Sequence, residues 1–156
     1  MNPLFSRALF AATLIITTPI ALRAQSGRRV SLDTVQFAPA LEVDLTASKR
    51  VTNGLHYRDI IVGTGPWAHR GTEITVRYAG ALADGRAFTA LDEPPATFKL
   101  GAGTVIQGWD RGIVGMRAGG RRQLIIAPDL GYGGKQMGVI PPNSVLVFDI
   151  EIISVR

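Results

Sequence analysis

Six aromatic residues, Tyr78, Phe88, Phe98, Trp109, Tyr132 and Phe148, lie on separate stretches of the chain and are its main chemical resource. Taken singly, each reads as core, because aromatic side chains mostly fill cores. Taken together, beside a long Gly- and Pro-rich segment over 128–143, they have the makings of an apolar pocket. Such a pocket binds and desolvates; it does not attack. The usual catalytic sets are missing. There is no cysteine, so a thiolate nucleophile, a disulfide and a Cys-based metal site are all excluded. The two histidines, His56 and His69, are too far apart in sequence for a local metal motif, and His69 reads as solvated. No serine sits in a nucleophile elbow, and Gly131, Gly133 and Gly134 lack the spacing of a phosphate loop. The carboxylates Asp84, Asp92, Glu93, Asp110 and Asp129 fall at turns and helix positions, with Asp110 placed to complement a helix dipole.

The elements that must position these aromatics are mostly strands. The exception is 104–116, where Ile106, Trp109, Ile113 and Met116 recur at helical spacing. Gly108, Gly112 and Gly115 make this a poor helix, each costing about 1 kcal/mol against Ala. A curved sheet must therefore hold it, and the glycines let the two backbones come close. Trp109 is then either the floor of an enclosed cavity or plain core. Strands are predicted over 55–62, 73–82, 86–89, 97–100, 123–126 and 145–155, with Asp84-Gly85 as a hairpin turn. Ile74, Val76 and Tyr78 share one face of the second strand; Leu146, Phe148, Ile150 and Ile152 share one face of the last. The sum is an α+β fold, an antiparallel curved sheet of five to six strands around one short helix.

The chain has 156 residues and 46% apolar content, enough for one globular domain plus extras. Residues 1–24 have the layout of a signal peptide: Arg7, an apolar run over 8–22, and the small residue Ala24 at the cleavage position. That run is short for a membrane span, so no stable anchor is expected after cleavage. Export to the periplasm or the medium follows as the expectation, with the mature chain starting at Gln25. Residues 25–53 have mixed composition and no clear period, and read as an N-terminal arm; 54–156 read as the domain. The formal charge is +5; without Arg7 and Arg23 it is +3, from 15 basic and 12 acidic residues. That balance is too weak and scattered for nucleic acid, and Arg28-Arg29 and Arg121-Arg122 read as solvated pairs.

From Gly54 to Arg156 the chain resembles the FKBP-type peptidyl-prolyl cis-trans isomerases. The resemblance is carried by Val76-Arg77-Tyr78-Ala79-Gly80, Asp84-Gly85-Arg86-Ala87-Phe88, Val105-Ile106-Gln107-Gly108-Trp109, Ala127-Pro128-Asp129-Leu130-Gly131-Tyr132-Gly133, Ile140-Pro141-Pro142-Asn143-Ser144 and Leu146-Val147-Phe148-Asp149-Ile150-Glu151, all in family order. It implies an isomerase, a rotamase of X–Pro bonds, that assists the folding of exported polypeptides as a monomer and without a cofactor or metal. It assigns Tyr78, Phe88, Trp109, Tyr132 and Phe148 to catalysis, and Phe98, Val105, Ile106 and Ile140 to substrate binding. Trp109 would carry the proline ring. The Ile106 N–H and the Tyr132 hydroxyl would donate to substrate carbonyls. Two positions depart from the family pattern: Thr89 stands where an aspartate is usual, and Ala96 where an aromatic is common. They imply macrolide inhibitors as ligands of weakened affinity. They also keep open a non-catalytic reading, a proline-peptide-binding or chaperone module with the same pocket.

Overall fold

The structure, a computed structural model, describes residues 29–90 and 92–156. The segment read as a signal peptide lies outside the described residues, as do the first four residues of the arm. The strands are β1 (Lys49–Thr52), β2 (Leu55–Ile61), β3 (Glu73–Leu82), β4 (Ala87–Thr89), β5 (Ala96–Lys99), β6 (Arg121–Ile126) and β7 (Leu146–Val155); the α-helix is α1 (Gln107–Gly112). They form one seven-stranded antiparallel sheet in the order β1-β2-β6-β7-β3-β4, with β5 also paired to β3. The fold is the expected α+β sheet around a helix, with seven strands instead of five to six. The added strand is β1, whose residues read in the sequence as part of the arm. It has no alternating pattern to betray it, because three of its four residues are exposed. Its partner β2 supplies the register, with Lys49 opposite Tyr57 and Arg50 opposite His56.

The helix is shorter than the spacing over 104–116 predicts. Ile106 is its N-cap, with extended backbone at φ −59° and ψ 148°, and Ile113 ends it. Gly115 then takes φ +81°, a left-handed conformation that stops helical propagation and suits glycine. Ile113 and Met116 are still buried, so their apolar spacing reports a continuous core face rather than a continuous helix.

What holds this two-turn helix is its closeness to β6. A Cβ placed on Gly108 would lie 2.6 Å from Cδ1 and Cγ2 of Ile126, and one on Gly112 would lie 2.8 Å from Cδ2 of Leu124. These two glycines are four apart and share a face, so the helix backbone rests directly on the sheet. The main core lies between them: Leu55, Ile74, Val76, Leu100, Trp109, Ile113, Leu124, Ile126, Leu146, Ile150 and Ile152 are all buried there.

Arg122, read as a solvated surface residue, is 4% exposed and belongs to this joint. Its Nε donates to Asp59 Oδ1 at 2.6 Å, and its Nη1 donates to the Gly112 carbonyl at 2.8 Å. Its guanidinium also lies 3.9 Å from the centre of the Tyr57 ring. The helix ends with carbonyls that lack partners in the helix, and a cation is favourable there. Arg121 is bound as well, through two bonds to Asp149 of 2.7 and 2.5 Å. Alternation along β6 sends Arg122, Leu124 and Ile126 to the helix side.

Its other face, with Ile125 and Ala127, is covered by the arm. Leu32 is buried against Ile125, Ala127 and Val145, with Val30, Val35, Phe37, Val43 and Leu45 packed around them. The arm's backbone is tied down too: Ala38 N–H donates to the Ala83 carbonyl at 2.8 Å, and Gln123 Nε2 donates to the Leu41 carbonyl at 2.7 Å. Among the described residues, no helix is long and apolar enough to cross a membrane.

The contact of α1 with β6 generates a prediction. Gly108→Ala gains about 1 kcal/mol of helix propensity but forces a methyl into Ile126, where overpacking costs about 1–3 kcal/mol. The expected outcome is a net loss of about 1 kcal/mol, seen as a lower urea midpoint with an unchanged slope. A raised midpoint would show that the helix does not rest on the sheet through this glycine.

Candidate active site

Four strands and the helix bring five of the six aromatic rings together. Tyr78 projects from β3, Phe88 from β4 and Phe148 from β7, while Phe98 stands on β5 and Trp109 on α1. The register explains the convergence. Gly80 of β3 pairs with Phe148 of β7, and it also pairs with Thr89, next to Phe88 on β4. With no side chain at Gly80, both rings fold over it: a Cβ there would lie 2.6 Å from Cζ of Phe88 and 2.9 Å from Cε1 of Phe148.

Trp109 is the centre of the cluster. Its ring centre is 4.8 Å from Tyr78 and 5.2 Å from Phe148, both edge-on at 82°, and 5.7 Å from Phe98 at 37°. Phe88 meets Phe148 at 5.5 Å and 78°. Edge-to-face pairs at these separations are the favoured aromatic geometry and contribute about 0.5–1.5 kcal/mol each beyond burial. The cluster is thus stiff, and Trp109, 6% exposed, is both core and floor. The choice between the two that the sequence left open does not arise.

Above this floor is a cleft of about 620 Å³, within the range of small-ligand sites. Its wall includes the aromatic residues Tyr78, Phe88, Phe98, Trp109, Tyr132 and Phe148, and the aliphatic Val105, Ile106 and Ile140. All nine residues that the resemblance assigns to the site therefore line one cavity. Four further residues line it: Thr89 and Ala96, noted above only as departures, and Glu93 and Thr104. Glu93 and Thr104 carry no sequence signal, because a turn carboxylate and a loop hydroxyl are ordinary surface residues until the loop is folded over a cleft.

The loop that presents Val105 and Ile106 is pinned by Asp110. Its two carboxylate oxygens accept the N–H groups of Gly101 and Gly103, both at 2.9 Å. Gly101 and Gly103 have φ of +82° and +74°, conformations that a side chain would strain. Asp110 is buried, and its position in the first turn of α1 still complements the dipole as the sequence suggested. Its larger structural effect is to hold the turn ahead of the helix. The Ile106 N–H, just outside the first turn, donates to no acceptor among the described residues.

Tyr132 and Ile140 come from the long 128–143 loop, which folds on itself. Asn143 N–H donates to the Gly133 carbonyl at 2.7 Å, and Met137 and Ile140 exchange backbone bonds of 3.0 and 2.9 Å. Burial, and secondarily the charge of Tyr78, push the Tyr132 hydroxyl above its ordinary value of 10.0. It keeps its proton at neutral pH and remains a donor. Thr89 Oγ1 is buried with no hydrogen-bond partner among the described residues. The arrangement can hold an apolar ring on Trp109 and offer donors to nearby carbonyls. None of its side chains is set up as a nucleophile.

Comparison with known proteins agrees with this geometry. A family model described as FKBP-type peptidyl-prolyl cis-trans isomerase matches residues 65–153. The chain is 43% identical over 103 residues to FK506-binding protein 4 of Dictyostelium discoideum, covering 65% of this chain and 28% of that protein. It is 41% identical over 119 residues to FK506-binding protein 4 of Aspergillus oryzae, covering 76% of this chain and 25% of that one. The chain thus spans about a quarter of the length of these curated relatives. Among solved structures it resembles AtFKBP13, with a TM-score of 0.60 and 41% identity over 65% of this chain and 93% of that chain. It also resembles FkpA from Escherichia coli, with a TM-score of 0.65 and 34% identity over 76% of this chain and 56% of that one. The family model covers more than half of the chain, and the antiparallel sheet with one short helix agrees with the matched structures: the chain belongs to the FKBP-type peptidyl-prolyl cis-trans isomerases.

Proposed function

We propose that the chain is a peptidyl-prolyl cis-trans isomerase that acts on X–Pro bonds of exported polypeptides and assists their folding. The observation that carries this reading is the single cleft lined by Tyr78, Phe88, Phe98, Trp109, Tyr132 and Phe148. The barrier to be lowered is about 18–20 kcal/mol, because resonance keeps the amide planar. Uncatalysed exchange takes tens to hundreds of seconds and limits folding.

The reaction breaks no bond. The planar amide is charge-separated, and its twisted form has lost that resonance. An apolar cleft disfavours the planar form relative to the twisted one. Donors that meet the substrate carbonyls better in the twisted form add binding specific to the transition state. The prolyl ring rests on Trp109, and the Ile106 N–H and the Tyr132 hydroxyl serve as those donors. The Tyr132 proton is held across the neutral range by burial, which suits this role.

A second reading, a proline-peptide-binding or chaperone module of low turnover, is favoured by Ala96, which puts a methyl on the cleft wall in place of an aromatic ring. A proline-peptide exchange assay separates the two. The chain is expected to accelerate X–Pro isomerisation without added metal; a rate at background from folded protein refutes the enzyme. Tyr132→Phe is expected to keep the fold and lose about 0.5–1.5 kcal/mol of transition-state binding. Trp109→Ala is expected to lose activity and also about 3–5 kcal/mol of stability. Trp109→Leu, which keeps apolar packing, retains more of the fold. A Trp109→Ala variant of unchanged melting temperature and rate would mean that floor and scaffold are assigned the wrong way round.

Macrolide inhibitors fit the same cleft with weakened affinity. Thr89 cannot supply a carboxylate acceptor, and a charge-assisted hydrogen bond contributes about 1.5–3 kcal/mol, about 10- to 100-fold in affinity. Calorimetry on the wild type and Thr89→Asp should show that gain in the variant; equal affinities would remove Thr89 as the cause. Export is proposed from the Arg7-flanked apolar run over 8–22. N-terminal sequencing of protein from the producing cell should then begin at or near Gln25. Soluble cytoplasmic protein that retains Met1 would contradict it.

A further inference from the structure

The cleft that accepts the prolyl ring has one formally charged residue in its wall, Glu93. The chain as a whole carries +5, so this carboxylate is a local exception to the protein's charge. Glu93 is exposed, and so is the adjacent Asp92. Neither is in an ion pair among the described residues, whose pairs are Arg86–Asp84, Arg121–Asp149 and Arg122–Asp59. A solvated acidic turn is the plain alternative, and it has no reason to be fixed in place. Glu93 is fixed. Its N–H donates to the Ala90 carbonyl at 3.3 Å. Pro94 biases the Glu93 backbone towards extended conformations, and the rings of Pro94 and Pro95 each fix their own φ. At Ala96 the chain is already paired to Val76 in β5. The backbone of the rim carrying Glu93 is therefore restrained by two prolines and tied to the sheet at Ala96. Ala96 lines the same wall with only a methyl group, so no bulky side chain at that position screens Glu93 from what lies in the cleft.

We propose that Glu93 is a specificity-determining residue that selects X–Pro segments carrying a lysine or arginine beside the proline. The inference rests on the isomerase reading above and names the class of peptide that this cleft prefers. A cation next to the bound prolyl ring meets a carboxylate at the rim, whereas an aspartate or glutamate there is repelled. The contact lies away from the twisting amide, so it strengthens the ground state and the transition state alike. Its effect falls on KM rather than kcat. Exposed ion pairs of this kind change affinity by about two- to fivefold, and salt screens them as the Debye length shrinks from about 10 Å at 0.1 M to about 3 Å at 1 M.

The test uses peptides identical except for lysine, norleucine or glutamate at the residue before or after the proline. Isomerisation is measured with the wild type, Glu93→Gln and Glu93→Lys at low and high salt. Each ratio is taken within one protein, so the folded fraction cancels. The wild type should prefer lysine over norleucine by about two- to fivefold in kcat/KM at one of the positions at low salt. The ratio should fall towards one in Glu93→Gln and in high salt, and invert towards glutamate in Glu93→Lys. Turnover of all the peptides with the same ratio in the wild type and Glu93→Gln overturns the selection while leaving the isomerase reading intact. Turnover of none of them overturns the isomerase reading. Calorimetric affinities of the same peptides then decide Glu93 by the same ratio.

Discussion

The close approach of α1 to β6 is the constraint on which the rest of the molecule depends. A helix of six residues has no stability of its own in water, because nucleation costs more than so few hydrogen bonds return. It persists because Gly108 and Gly112 let its backbone rest on Ile126 and Leu124. Larger residues would lift it off the sheet and open a void beneath. The same contact fixes the direction of Trp109. It follows Gly108 by one residue, about 100° around the helix, so it points off the sheet contact and into the ring cluster. Arg122 completes the joint from the sheet side by reaching the carbonyls of Gly112 and Val114 at the end of the helix. Its charge is compensated by Asp59 and by the face of the Tyr57 ring. A buried arginine with several partners is a brace; without them it would be a large desolvation cost.

A helix on one face leaves the sheet with a second face to cover. Strand β6 and the start of β7 are buried on both sides, which explains the run Leu124, Ile125, Ile126 in a strand that alternation alone would make half polar, continued by Ala127. The arm covers the back. It does so with 3₁₀ turns at Leu32–Thr34 and Pro39–Leu41 and with extended links between them, not with a regular element. Several polar groups at this interface have partners: Gln123 Nε2 reaches the Leu41 carbonyl, Arg58 Nη2 the Glu42 carbonyl, and Ser48 Oγ lies 3.0 Å from Nδ1 of the buried His56, while Gln123 Oε1 and Arg58 Nε are buried without a partner among the described residues. The arm is therefore a layer of the folded unit, and the sheet it covers is the one that carries Phe148.

The legible parts of the sequence were those where one residue's neighbours along the chain determine its surroundings. Glu73–Leu82 and Leu146–Val155 alternate because each has one face on the core, and the Asp84-Gly85 turn joins β3 and β4 at φ +90° on Gly85. The illegible parts depend on partners distant in sequence. Nothing near Arg122 announces that Asp59, 63 positions away, will face it. Nothing periodic marks Leu32, Val35 and Phe37 as a layer, since their spacing follows the sheet they pack on. The helical spacing overextends α1 for a related reason: burial continues through Met116 while helical hydrogen bonding stops, and periodicity reports burial. At the site, six of the nine assigned residues are legible from aromatic type and all nine from the family resemblance, whereas Glu93 and Thr104 join them only because two loops fold towards the same cleft.

The cleft is cut into the core, and this divides its parts by stiffness. Trp109, Phe148 and Ile140 are buried residues that also line it, and two of them sit on the helix and on β7, one of the two ten-residue strands. A change to this floor is a change to the core, with a stability cost of several kcal/mol. On the proposed isomerase reading, the geometry that meets a twisting amide is therefore held by buried core residues, as a site that must discriminate a transition state requires. The rims are different. Glu93 and Ala96 lie on a proline-stiffened link, and Met137 and Val139 are exposed on the 128–143 loop beside Ile140. Substitutions there touch little of the core and alter what is presented to the residues around the proline. The proposed chemistry and the proposed selectivity thus reside in different layers of one cavity. The floor can stay fixed while the rims vary, and the peptide preference of such a cleft is set where the fold has least at stake.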